Sequence, residues 1–153
     1  MRGKINKIII ILIVLICFFN SSIDIYASER QKTKIEVKYE QMETIDILAI
    51  CVEAEAGNQD QYGKRLVADV ILNRVDSDRF PDDVFSVISQ KYHFTTYWDG
   101  SMDKISEPSE ETLEAVKMEL EDRTDDKILF FTAGDYNPYC IPAYKYGAHY
   151  FGY

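Results

Sequence analysis

Two carboxylates stand two residues apart in CVEAEAGN, residues 51–58, where an apolar helical run ends before Gly57. Acids are unusual in that position, because the unpaired carbonyls of a helix C-terminus favour cations. With about 100° per residue and Ile45 set at zero, Val52 and Ala56 fall within about 20° of the apolar stripe, Glu55 lies at about −80° beside Leu48, and Glu53 at about 80° beside Asp46. Glu55 therefore stands at the edge of the stripe, and Glu53 on a solvent-facing flank. Apolar neighbours and the negative helix end both disfavour an anion, so the Glu55 carboxyl is expected to titrate high. A carboxyl still protonated near neutral pH is what a general acid requires. The plainer alternative is that both glutamates serve as helix formers and are solvated.

Other chemistry-bearing residues are few. His93 and His149 form no H-E-x-x-H pattern, and zinc needs three or four ligands, so no metal or cofactor is expected. Cys140 and His149 have the residue types of a thiol nucleophile and its base, but Pro142 follows where a helix start would lower the thiol pKa. His149 reads equally as a structural hydrogen-bonding group in an aromatic strand. Cys51 and Cys140 leave a disulfide open, since pairing depends on a Cα separation that sequence does not supply. Phe94, Trp98, Tyr150 and further tyrosines crowd the irregular segments, where aromatic faces suit sugar rings or simply fill a small core.

The elements that must position these groups are legible in outline. Thr44 is a plausible cap for a helix over 45–56, and Asn58 or Asp60 for a second, with Leu66, Val67, Val70, Ile71 and Val75 as its apolar stripe. Pro81 and Asp82 start a short third helix through Val84 to Ile88, and Ser109 caps a fourth. Residues 90–106 carry no regular period and read as short strands or an ordered loop. ILFFT, residues 128–132, is a buried-strand candidate, and HYFGY, residues 149–153, a last strand beside it. Helices first and strands afterwards, with no βαβ alternation, predict an α+β domain.

Composition narrows the partners. Of 153 residues 17 are basic and 26 acidic, a net charge of −9; residues 1–27 hold three of the basic and one of the acidic side chains, leaving −11 on the rest. Nucleic acids and anionic membranes need a basic footprint, so neither is an expected partner of the main body. Arg2, Lys4 and Lys7 precede 12 apolar residues, Ile8 to Phe19, and IYA ends at Ala27 on a small residue. That is the pattern of a secretory signal peptide over 1–27, followed by a polar linker over 28–42. The expectation is an exported chain that meets the membrane only through this segment; membrane tethering by an uncleaved segment is the alternative.

The stretch AEAGNQDQYGKRLVADVILNRVDSDRFPDDVFSVI, with HFTTYWDG and the terminal YGAHYFG, resembles the bacterial cell wall hydrolases of the spore-cortex-lytic (SleB/CwlJ) family. The likeness runs over residues 45–153 and makes 43–153 the catalytic domain. It implies a lysozyme-like α+β fold, helices first with a small C-terminal sheet, acting on peptidoglycan glycan strands; the sequence leaves the oligomeric state open, with a monomer as the expectation. The family places a glycine eight residues beyond its catalytic glutamate, and eight residues before Gly63 stands Glu55. The implied reaction is cleavage of the β-1,4 bond between N-acetylmuramic acid and N-acetylglucosamine by a lytic transglycosylase with one glutamate. Candidate substrate-binding residues are Phe94, Thr95 and Trp98 in HFTTYWDG, and His149 and Tyr150 in YGAHYFG. Asn58 and Gln59 stand where the family has Gly and Glu, and His93 where a glutamine precedes the phenylalanine. A hydrolytic muramidase and a non-catalytic wall-binding module remain the alternatives, and spore cortex and vegetative wall both remain open as targets.

Overall fold

Six consecutive residues of the first helix, Ile47 to Val52, are buried, and Ala56 joins them. A helix apolar on all sides must lie inside the domain rather than on its surface. The narrow stripe expected from sequence is thus a minimum: in this computed structural model α1 (Thr44–Ala56) is the central helix. Residues 42–153 form one compact unit. The structure describes residue 39 and residues 42–153, so the expected signal peptide and most of the linker lie outside the described residues.

Three helices pack around α1: α2 (Gln61–Val75), α3 (Val84–Ile88) and α5 (Glu110–Glu121). Each of the three is opened by a side-chain cap. Asp60 Oδ1 accepts from the Gly63 amide at 2.9 Å, Asp83 Oδ1 from Ser86 at 2.8 Å, and Ser109 Oγ from Thr112 at 3.3 Å. Such caps satisfy amides that have no intrahelical partner, and each contributes about 1 kcal/mol. Thr44 opens α1 without capping it. No strand forms among residues 90–106; an ordered loop carries the short helix α4 (Thr95–Trp98) and a 3₁₀ turn, Met102–Lys104. Leu48, Leu66, Ile71, Phe94 and Phe151 are all essentially buried, each contributing about 1.5–3 kcal/mol of apolar transfer.

The C-terminal part is a three-stranded antiparallel sheet in the order β1 (Phe130–Ala133), β3 (His149–Gly152), β2 (Pro142–Tyr146). The last strand therefore does pair with the first, with Phe131 opposite Phe151 and Ala133 opposite His149. The sequence outline had no strand at β2, whose first residue is Pro142. A proline lacking an N–H is tolerated there because β2 is an edge. Gly147 turns the β2–β3 hairpin at φ 53°, which favours glycine, and a Cβ there would displace the Gln59 amide, whose Oε1 accepts from Ala148 N at 3.1 Å. The α+β class with helices first is as expected. Among the described residues no helix is long and apolar enough to cross a membrane.

Two neighbours in ILNRV join the helices to the sheet. Asn73 Nδ2 donates to the carbonyls of Asp125 and Ile128, at 2.7 and 2.9 Å, and Arg74 Nε to that of Leu129 at 2.7 Å. The turn before β1 is also held by acids. Asp69 on α2 and Glu119 on α5 are buried against each other, and Asp69 Oδ2 accepts from Asp125 N at 2.8 Å. Burial first, then its hydrogen bond to Glu119, pushes Asp69 up to about 9, so at neutral pH it is the protonated partner. Burial also pushes Glu119 upward, but bonds from Asp69, Thr124 and Arg65 outweigh it and keep Glu119 an anion.

In the folded protein Asp69 holds a proton that it loses in the unfolded chain above an ordinary value of 3.8. Its contribution to stability is complete below that value and is lost as pH rises toward about 9. Asp69→Asn keeps a donor for Glu119 and an acceptor for Asp125 without titrating. Denaturant unfolding across this window is expected to move in favour of the variant as pH rises; a constant difference from wild type would contradict a shared proton.

Candidate active site

The two glutamates in the last turn of α1 have opposite surroundings. Glu55 is half-buried, and its Oε1 accepts from Thr96 Oγ1 at 2.5 Å. Burial pushes its carboxyl pKa above the ordinary 4.5; the Thr96 bond opposes this, and the charge of Asp99 adds to the rise. Glu53 is not the free flank that its helical angle implies. Its Oε2 accepts from Ser109 N at 3.2 Å, from Ser109 Oγ at 2.8 Å and from Thr112 Oγ1, all at the start of α5. Desolvation alone would raise the Glu53 pKa, but these bonds and the nearby Lys64 charge bring it below 4.5. A carboxylate at a helix N-terminus meets that helix's positive end.

The loop that carries Thr96 forms a cleft of about 350 Å³, lined by Lys91, Tyr92, Thr95, Trp98 and Asp99; Glu55 is not one of its lining residues and is tied to this loop through Thr96. Thr95 and Trp98, two of the expected substrate-binding residues, are thus together on its wall, and Trp98 is half-exposed. Tyr92 is exposed with φ 72°, in the left-handed region, and Lys91 Nζ sits 5.1 Å from its ring centroid. Asp99 also lines the cleft, and Ser101, through its hydroxyl and then its N at 2.8 Å, holds the Asp99 pKa below 3.8.

The other expected residues sit elsewhere. Phe94 is 1% exposed, its ring packed on Arg74 and 6.1 Å from Phe131, so it offers no free face. His149 is buried in β3 with its ring 5.1 Å from Phe131. Burial pulls its pKa below 6.5, and its Nδ1 has no hydrogen-bond partner among the described residues. Tyr150, its neighbour on β3, packs edge-on to Tyr136 at 5.0 Å, with Lys145 Nζ 4.8 Å from its ring. Cys51 and Cys140 are both free thiols, and Cys140 Sγ donates to Asn137 O at 3.2 Å. Neither the disulfide nor a Cys140–His149 pair therefore forms. Among the described residues no cluster of His, Cys, Asp or Glu is placed to hold a metal ion.

Thr96 and Arg74 are the residues that sequence reasoning missed. Thr96 stands beside Thr95 in a doublet, and nothing local says which hydroxyl reaches Glu55. Arg74 is buried near Cys51, ringed by Phe80, Phe94 and Phe130 at 5.0, 5.1 and 5.6 Å. Its Nη1 lies 3.2 Å from His93 Nδ1. Burial lowers its pKa to about 10, still a cation at neutral pH. The aromatics that ring it lie in three separate segments, at Phe80, Phe94 and Phe130, so no local pattern names Arg74 as their common target.

Residues 58–152 match the model of the cell wall hydrolase family. The chain belongs to that family. Glu55 lies just ahead of the first matched position. Two spore cortex-lytic enzymes are similar to it: one from Halalkalibacterium halodurans, 41% identical over 58 residues, and one from Oceanobacillus iheyensis, 40% identical over 72. Those alignments take in 38% and 47% of this chain but only 18% and 25% of the relatives' own lengths. Among solved structures, the catalytic domain of the Bacillus cereus SleB protein is similar at a TM-score of 0.64 and 28% identity, over 72% of this chain and 89% of that one. The catalytic domain of the germination-specific lytic transglycosylase SleB from Bacillus anthracis aligns at 0.63 and 29%, over 74% and 98%. The family's catalytic-domain fold is therefore the fold of this chain.

The Glu53 bonds tie α1 to α5 independently of the cleft. Glu53→Ala is expected to lower stability by about 1 kcal/mol at neutral pH, a value reduced by the site's partial exposure. Because the folded pKa is depressed, the deficit should shrink as pH falls below 4.5. Denaturant midpoints of wild type and variant at two pH values check this, and an equal deficit at both would contradict it.

Proposed function

We propose that the chain cleaves the β-1,4 bond between N-acetylmuramic acid and N-acetylglucosamine in peptidoglycan, with Glu55 as its acid and base. The observation that carries this reading is a half-buried carboxyl, raised above 4.5 and held by Thr96, whose neighbours Thr95, Trp98 and Asp99 line an open aromatic cleft. Membership of the cell wall hydrolase family and the named activity of the Bacillus anthracis structure support it.

Glu55 first gives its proton to the glycosidic oxygen as the bond to the muramyl anomeric carbon breaks. The resulting carboxylate takes the proton of the muramyl C6 hydroxyl, whose oxygen bonds to that carbon. The product is an anhydro sugar, Glu55 regains its proton, and no water is consumed. One carboxyl suffices, and its pKa must lie close to the working pH for both halves to proceed. Trp98 offers an apolar face to a sugar ring and Thr95 a hydroxyl to its edge. Phe94 and His149, being buried, would support the wall of the site, and Tyr150 would meet the glycan only away from this cleft, whose lining does not include it. The apolar segment near the N-terminus supports export to the wall, where a single copy would act on glycan strands.

Asp99 favours a second reading. It stays ionised in the cleft lining and is close enough to raise Glu55. A pair of carboxyls about 5 to 9.5 Å apart is the equipment of a hydrolase, in which the second activates water or attacks the sugar. The products separate the two: anhydro ends identify the transglycosylase and reducing ends the muramidase.

Incubation with purified peptidoglycan, followed by mass analysis of the released muropeptides, is the test. Glu55→Gln is expected to lower the rate by about 100-fold or more. Full activity in that variant would overturn Glu55 as the acid. Binding without cleavage by the wild type would identify a wall-binding module instead.

A further inference from the structure

Arg74 has no ion pair among the described residues. Its charge is held by three aromatic faces, the Leu129 carbonyl and one imidazole nitrogen. The geometry fixes the protonation of that imidazole. A guanidinium is only a donor, so His93 Nδ1, 3.2 Å from Nη1, must be an acceptor, and His93 must be neutral when the contact is made. Protonation at Nδ1 would set N–H against N–H and bring two cations together.

His93 also stands at a useful place in the chain. It is exposed, so a proton can reach it, whereas Phe94 next to it is buried against Arg74. The following residues are the ones that meet Glu55 and line the cleft: Thr96 donates to Glu55, and Thr95, Trp98 and Asp99 form the wall. We propose that Arg74 and His93 form a proton-released latch that positions residues 93–99 against Glu55, closed while His93 is neutral and loosened when it is protonated. His93 and Arg74 are positioning residues in this scheme, since neither touches a reacting atom. The latch deepens the glycan-cleaving reading given above and, for its effect on turnover, rests on it.

The charges around His93 favour release. Arg74 faces it from α2, and the Phe80 ring meets it edge-on at 6.0 Å with Arg79 5.8 Å from that ring's centre. Lys91 lies two residues before it on its own loop. Near Arg74 lies the buried Cys51 thiol, pushed up by burial and therefore neutral, with the Glu55 charge acting on that thiol from the same helix. No carboxylate pairs with His93 among the described residues. Partial desolvation of the ring where it meets Phe80 and Arg74, and then the Arg74 charge, lower the His93 pKa below 6.5, which keeps the latch closed at neutral pH.

Trp98 is the only tryptophan in the chain, so its fluorescence reports on the cleft alone. In Glu55→Gln protein, where that carboxyl no longer titrates, Trp98 emission is expected to change on acidification with a midpoint below 6.5. Adding His93→Gln, whose amide oxygen can accept from Arg74 without titrating, should remove the transition. Persistence of the transition in the double variant, or its absence with His93 present, would overturn the latch. This measurement needs no turnover, so it stands apart from any failure of the proposed function. With Glu55 intact, His93→Gln should keep kcat/KM at neutral pH and shift its acid limb to lower pH. His93→Ala should lower kcat/KM about ten-fold at neutral pH, mainly through KM. An acid limb unmoved by His93→Gln would also overturn it.

Discussion

A helix buried on nearly every side must still end, and its last carbonyls make that end hostile to anions. In α1 the last turn carries Glu53 and Glu55, and the fold resolves the conflict differently for each. Glu53 reaches the start of α5, where unpaired amides and hydroxyls stabilise its charge. Glu55 meets Thr96 and otherwise loses water, so its proton is held more tightly than usual. One turn of helix thus serves as a structural tie and as a candidate acid. The difference comes from which segment packs beside each side chain.

The second constraint is the buried cation at the end of α2. Arg74 connects three regions that are far apart in the chain: Phe80 after α2, His93 and Phe94 before α4, and Leu129 and Phe130 at β1. Aromatic faces can hold a guanidinium where no carboxylate is present. The loop that forms the cleft is fixed through this contact and through Thr96. Both holds lie within four residues of each other, between His93 and Thr96, so the cleft wall depends on a short stretch with little regular structure of its own.

Much of this was legible in the sequence where the cause is local. Ser109 as a cap, the start of α2 at Asp60 and the pairing of the last strand with the first follow from neighbouring residue types and were read correctly. Glu55 could be separated from Glu53 by helical angle, which gave the correct direction for its pKa. The same angle misjudged Glu53, because it does not say that the start of α5 will lie against that flank. Phe94 looked like a free sugar platform and is instead buried on Arg74, and of the Thr95–Thr96 doublet only the structure tells which hydroxyl meets Glu55. Strand β2 was hidden by Pro142, whose place at an edge is a property of the whole sheet. In each case the missing information was a contact between residues distant in sequence.

The most direct measurement is a carboxyl-carbon NMR titration of Glu53 and Glu55 in the folded protein. A proton-holding Glu55 is expected to titrate above 4.5 while Glu53 titrates below it. A Glu55 value at or below 4.5 would contradict the role of this residue as the acid on which the proposed chemistry depends.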